Sequence, residues 1–154
     1  MNNIIEQFYS AFQKLDADKM VEHYHHEVEF EDPAFGKLKG NKAKNMWRML
    51  CKSSKELEIT FSNIISDDTK GSVNWEAKYT FSKTGRKVHN RISAEFEFKD
   101  GKIIKHKDKF NLHRWASHAF GFKGLLAGWT PQFKSKLNME TNKLLDIFER
   151  RYKL

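Results

Sequence analysis

Cysteine is almost absent. The chain of 154 residues has one, Cys51, so no disulfide can close within it. Proline is nearly as scarce, with Pro33 and Pro131 alone, so few positions interrupt regular structure and Pro33 becomes a landmark. No window approaches the ~18 apolar residues of a membrane helix, which removes the integral membrane classes. The opening MNNIIEQFYSAF has neither a basic n-region nor a long apolar run, so a cytoplasmic protein is expected. Internal repeats, low-complexity linkers and recognised nucleic-acid motifs are also missing. Acidic residues become rare only late: residues 1–98 carry 15 basic and 15 acidic side chains, whereas 99–154 carry 13 and 5. That excess would suit a nucleic acid or a membrane surface. Lys102, Lys105, Lys107 and Lys109 read more simply as the solvent side of a strand, so neither partner is expected.

What is present describes one α+β domain with an aromatic core, 14% of the residues being Phe, Trp or Tyr. Residues 2–14 place Ile4, Ile5, Phe8, Tyr9, Ala11 and Phe12 at helical spacing. A second, short helix follows Asp16–Asp18 and runs through Met20, Val21 and Tyr24. His23, His25 and His26, flanked by Glu22 and Glu27, have no zinc-type spacing and read as a solvated helix end, so no metal is expected. Val28 and Phe30 then alternate as in a half-buried strand that stops at Asp32-Pro33, before a turn marked by Gly36 and Gly40. A third helix covers 41–52. From Leu57 the period is two, giving antiparallel strands through Leu57–Phe61, Val73–Phe81, Val88–Phe98 and Ile103–Leu112. Asp100-Gly101 is a strong hairpin signal between the last two. Residues 114–133 hold a short helical run with Trp115, Phe120, Phe122, Leu125, Leu126 and Trp129, either a lid or a subunit interface. A final amphipathic helix spans 134–152.

Alternation also sorts the side chains that could do chemistry. With Phe110 as the apolar marker, Asp108 and His106 face inward on the last strand while Lys105, Lys107 and Lys109 face out. A buried carboxylate needs a partner or a proton, so Asp108 is either paired with His106 or poised for acid/base work. Asn90 shares the face of Ile92 and Ala94 and can orient a ligand oxygen. Phe12, Trp47, Trp75, Tyr79 and Phe110 are either core or the apolar walls of a pocket.

The three helices followed by a curved sheet, with FYSAF, EHYHHEVEFEDPAFGKLKG and FKDGKIIKHKDKF, resemble the nuclear transport factor 2-like superfamily over residues 4–113. The nearest branch is that of ketosteroid isomerases and SnoaL-like polyketide cyclases. The resemblance implies a cone-shaped domain over 1–113; residues 114–154 extend beyond it and are expected as a helical extension packed on the same domain or at a dimer interface. It also implies a homodimer formed through the outer face of the sheet. Glu31-Asp32-Pro33 matches the isomerase sequence that carries the general base, with Tyr24 upstream as in that family. The isomerase tyrosine and partner acid fall on Phe8 and Ala94, so the isomerase oxyanion hole is not reproduced. Cyclase and epoxide-hydrolase relatives carry a catalytic aspartate on the last strand, where Asp108 stands.

Two functions are therefore expected of this pattern. One is a cofactor-independent isomerase, cyclase or hydrolase acting on a small hydrophobic molecule. In it Asp108 is the principal acid/base, His106 sets its protonation, Asp32 is a second base at the pocket rim, and Asn90 or Tyr9 orients the substrate oxygen. The other is a non-catalytic binding or association module of the same fold. Whether Asp32 and Asp108 face one cavity separates them.

Overall fold

The computed structural model describes residues 3–154. Helix α1 (Ile4–Gln13) starts where the Asn3 side chain accepts from the Ile5 and Glu6 amides, and it buries Ile5, Phe8, Tyr9, Ala11 and Phe12. Helix α2 (Ala17–Glu22) is capped by Asp16 and buries Met20 and Val21. It ends before Tyr24, contrary to the helical spacing that placed Tyr24 on it. The His23 carbonyl accepts from the Ile103 amide, and Tyr24 opens strand β1 (Tyr24–Asp32) instead.

The turn expected at Gly36 and Gly40 contains a further strand, β2 (Gly36–Lys39), paired antiparallel with β1 from Glu29↔Lys39 to Asp32↔Gly36. Gly36 supplies the left-handed backbone (φ +74°) that closes this hairpin. Helix α3 (Asn41–Ser53) follows and buries Ala43, Met46, Trp47 and Met49. Strands β3 (Lys55–Ser66), β4 (Lys70–Phe81), β5 (Arg86–Lys99) and β6 (Lys102–Lys109) form an antiparallel run. The chain forms one six-stranded sheet in the order β2-β1-β6-β5-β4-β3, with β1 and β6 parallel. Helices cover the concave face of this curved α+β sheet, giving the cone-shaped architecture that the resemblance implied.

Strand β6 stops at Lys109 rather than Leu112, because Asn111 accepts from the Arg114 amide and starts helix α4 (Leu112–Phe120). Short helix α5 (Phe122–Ala127) and long helix α6 (Pro131–Tyr152) complete the chain. Helix α6 begins earlier than the expected 134, with Thr130 as its cap and Pro131 in the first turn, where proline's missing N–H costs nothing. Its buried Leu145 and Phe148 join the main core. Lys42 and Asn45 of α3 bond Glu149, tying α6 to α3.

Candidate active site

The parallel pairing of β1 and β6 sets the site. Phe30 lies opposite His106 and Glu31 opposite Lys107, so the next step of the same register brings Asp32 beside Asp108. Both carboxylates are on the inward parity of their strands. They line a common cavity of about 580 Å³. Its apolar walls include Phe12, Trp47, Trp75, Tyr79 and Phe110, with Asn90 among them. Helices α4 and α6 close it with Trp115, Phe120, Leu137, Leu144 and Phe148.

Asp108 is 4% exposed. Its Oδ1 accepts from His106 Nε2 at 2.9 Å and from Trp75 Nε1 at 3.3 Å. No bond occupies Oδ2, which is not sealed from solvent, since every fully buried side-chain polar atom has a partner among the described residues. One oxygen of Asp108 is thus held by two protein donors and the other has no protein partner among the described residues.

Behind Asp108 runs a buried relay that fixes the imidazole. Trp47 Nε1–H can only donate, and it donates to Tyr24 Oη at 2.7 Å. The Tyr24 hydroxyl also lies 2.7 Å from His106 Nδ1. A carboxylate can only accept, so His106 Nε2–H donates to Asp108, and in a neutral imidazole Nδ1 then accepts from the Tyr24 hydroxyl. Tyr9 and Tyr24 are kept as neutral phenols, their pKa values pushed well up by burial first and by the Asp108 charge as a further cause. Neither His106 nor Tyr9 lines the cavity. Tyr9 is fully buried, its Oη 3.4 Å from His106 Nε2, because α1 buries a face wide enough to hold both Phe8 and Tyr9. Both residues lie behind Asp108, outside the cavity lining.

Asp32 has a different environment. Its Oδ1 accepts from the Ala34 and Phe35 amides at 2.9 and 2.6 Å, the turn chemistry that Asp-Pro announces. Burial outweighs these bonds, and with the nearby Asp108 charge it pushes the Asp32 carboxyl up to about 7. The loop carrying it is held from the other side by α6. Asn138 Nδ2 donates to the Pro33 and Ala34 carbonyls at 2.9 and 2.8 Å, Thr141 Oγ1 to Ala34 at 2.9 Å, and Asn142 Nδ2 to Phe35 at 2.9 Å. These residues were not singled out from the sequence. Their only trace there is a polar stripe at positions 138, 141 and 142 of an amphipathic helix.

Tyr79 also has a polar function that its aromatic character hid. Its Oη accepts from Trp115 Nε1 at 2.7 Å, and burial raises its pKa, so it stays a neutral hydroxyl with its own proton free to donate. The cavity thus holds a carboxylate oxygen, a second carboxyl titrating near neutrality, a phenol and the Asn90 amide on an apolar lining.

Among the described residues, His25, His26 and Glu27 bring ligand atoms within 4.8 Å of one another, closer than their spacing suggested. His25 has both ring nitrogens engaged: Nδ1 accepts from the Glu27 amide and Nε2 lies 3.4 Å from Asp100 Oδ2. The cluster is an ordered strand start at the far end of β1 from Asp32.

A cone-shaped α+β domain with an apolar cavity and a few convergent polar groups defines the class: a protein of the nuclear transport factor 2-like fold. Within that class the chain belongs to the SnoaL-like domain family, whose sequence model matches residues 5–106. Among solved structures it is similar to an LEH-like epoxide hydrolase from M. tuberculosis (21% identity, 81% of this chain and 88% of that one, TM-score 0.62). It is also similar to a ketosteroid isomerase-like protein from Catenulispora acidiphila solved with trimethylamine (10% identity, 85% and 99%, TM-score 0.69). A candidate polyketide cyclase from Xanthomonas campestris is a third (18% identity, 75% and 93%, TM-score 0.63). At these identities the likeness is one of fold. No curated protein matches the chain by sequence.

Proposed function

We propose that the chain is a cofactor-independent acid/base enzyme acting on a small hydrophobic molecule that carries an epoxide or carbonyl oxygen. The observation that carries the reading is the pairing of Asp32 and Asp108 on adjacent strands in one apolar cavity, with Asp32 titrating near 7. Two carboxyl groups in different environments divide the roles of acid and base at neutral pH. Asp108, steadied by two N–H donors, is the base; Asp32, partly protonated, is the acid.

With an epoxide, Asp108 takes a proton from water as the water oxygen bonds to a ring carbon. The ring C–O bond breaks, and its oxygen takes the proton of Asp32. With a ketone, Asp108 takes the α-proton while Asp32 protonates the carbonyl oxygen, giving the enol. Tyr79 and Asn90 hold that oxygen in either case. In both, the proton gained by Asp108 returns to Asp32 through solvent.

The test is a panel of apolar epoxides and cyclic ketones incubated in deuterated water, read for diol formation and for deuterium incorporation α to the carbonyl. Turnover that is abolished in Asp108→Asn supports the reading and selects the branch. Ligands that bind the cavity unchanged would overturn catalysis and leave the expected alternative, a binding module of the same fold.

A further inference from the structure

The packing of α5 (Phe122–Ala127) is inverted for a helix bathed in water. Gly124 and the capping Gly128 face the protein: a Cβ added at Gly124 would lie 1.9 Å from the Ala116 carbonyl oxygen, and one added at Gly128 would lie 2.6 Å from Ala116 Cβ. Only glycine allows α5 to sit this tightly on α4. Its large residues face out, with Phe122 72%, Leu125 52%, Leu126 60% and, just beyond the helix, Trp129 69% exposed. The Trp129 Nε1–H is already given to the Leu126 carbonyl at 3.0 Å, so the indole shows mainly carbon. Isolated apolar residues on a surface need no explanation, but four at positions 122, 125, 126 and 129, the spacing of one helical face, do.

Charge says what covers them. No Asp or Glu occurs from Lys109 to Met139. Within that stretch, on α5 and on the flanking helices α4 and α6, are Arg114, Lys123, Lys134 and Lys136, all exposed. None of the four takes part in an ion pair among the described residues. A second copy docking through this tip would bring two sets of unneutralised cations together. An anionic lipid surface would neutralise them and accept the aromatic rings at the headgroup boundary.

We propose that the α5 tip, Phe122 to Trp129 with its basic collar, docks the protein on the surface of a bilayer containing anionic lipid. The docking is peripheral, since no described helix is long and apolar enough to cross a membrane. It departs from the sequence-based expectation of no membrane partner, because the sequence does not show which face of this segment is covered. The inference does not depend on the chemistry of the cavity, although α4 and α6, which flank the tip, both contribute to the cavity wall.

The experiment is co-sedimentation of the full chain with vesicles of phosphatidylcholine, with and without phosphatidylglycerol, at low and high salt. Binding is expected to the phosphatidylglycerol vesicles and to weaken with salt. The double variant Phe122→Ser, Trp129→Ser, outside the cavity lining, is expected to lower partitioning by about tenfold or more, with an unchanged melting temperature. Wild-type protein that stays in the supernatant, or a double variant that binds as well as wild type, overturns the proposal. Light scattering completes the test: a wild-type dimer that the double variant converts to monomer assigns the tip to self-association and also overturns it.

Discussion

The hydroxyl of Tyr24 lies 2.7 Å from Nδ1 of His106, the ring nitrogen opposite the one that donates to Asp108. Trp47 Nε1–H donates to the same hydroxyl oxygen. The pair lies inside a shell of rings, with Trp47 stacked on His106 at a centroid distance of 5.7 Å and Phe30 edge-on at 5.1 Å. Water therefore cannot replace a lost partner.

Tyr24→Phe is expected to destabilise the protein by about 1–3 kcal/mol, because it strands the Trp47 donor and the His106 acceptor in a dry site. It should also release the tautomer. Nitrogen-15 spectra of labelled histidine should show His106 protonated at Nε2 alone in the wild type and a mixed population in the variant. A wild-type His106 protonated at Nδ1 would refute the relay.

The clamp from α6 makes a second prediction. Replacing both Asn138 and Asn142 with alanine frees the Pro33 and Phe35 carbonyls and leaves Ala34 with Thr141 alone, at a cost of about 1 kcal/mol per lost bond. Hydrogen exchange at the Ala34 and Phe35 amides, which hold Asp32, should quicken more than exchange in β5. Unchanged protection at these two amides would mean that the Asp32 turn stands without the helix.

Ala77 lines the cavity on β4, directly across from Asn90 on β5. Ala77→Phe should fill part of the open volume at a cost of about 1–3 kcal/mol of stability. The circular dichroism spectrum should be retained while turnover of any substrate found in the epoxide and ketone panel is lost. Full turnover in this variant would place the chemistry outside the cavity.

The end of strand β6 was readable because its alternation is unbroken from Lys105 onward: His106 and Asp108 keep one parity, continued by Phe110 just past the strand, and Lys105, Lys107 and Lys109 keep the other. Strand β1 was harder. Its pairing with β6 shifts register between Tyr24 and Glu29, so Tyr24 and His25 are both buried and period two fails over the histidines. A bulge of this kind leaves a sequence that looks like a helix end, and it hid the key position of Tyr24. The α6 clamp was hidden for another reason. Asn138, Thr141 and Asn142 look like any polar helical face until tertiary packing aims them at three carbonyls 104–107 residues earlier in the chain.

Asp32 offers a prediction whose sign is unusual for a carboxylate. Its folded pKa is raised to about 7 from an ordinary value of 3.8, so between these limits the folded chain binds more protons than the unfolded one. Stability contributed at this site is therefore greatest below pH 4 and falls as pH rises towards 7, the reverse of a salt-bridged aspartate. At ~1.4 kcal/mol per pKa unit the ceiling is about 4 kcal/mol, and water at the cavity mouth screens part of it. Asp32→Asn keeps an oxygen that can accept from the Ala34 and Phe35 amides but never acquires the charge. The variant should be more stable than wild type by about 1–3 kcal/mol at pH 8, with the advantage vanishing near pH 4. Denaturant melts across that range measure it directly. A difference that does not change with pH would mean that Asp32 titrates as an ordinary carboxylate and cannot supply the proton assigned to it. A variant that is stabilised at pH 8 yet inactive would show the strain of a buried acid kept for its chemistry.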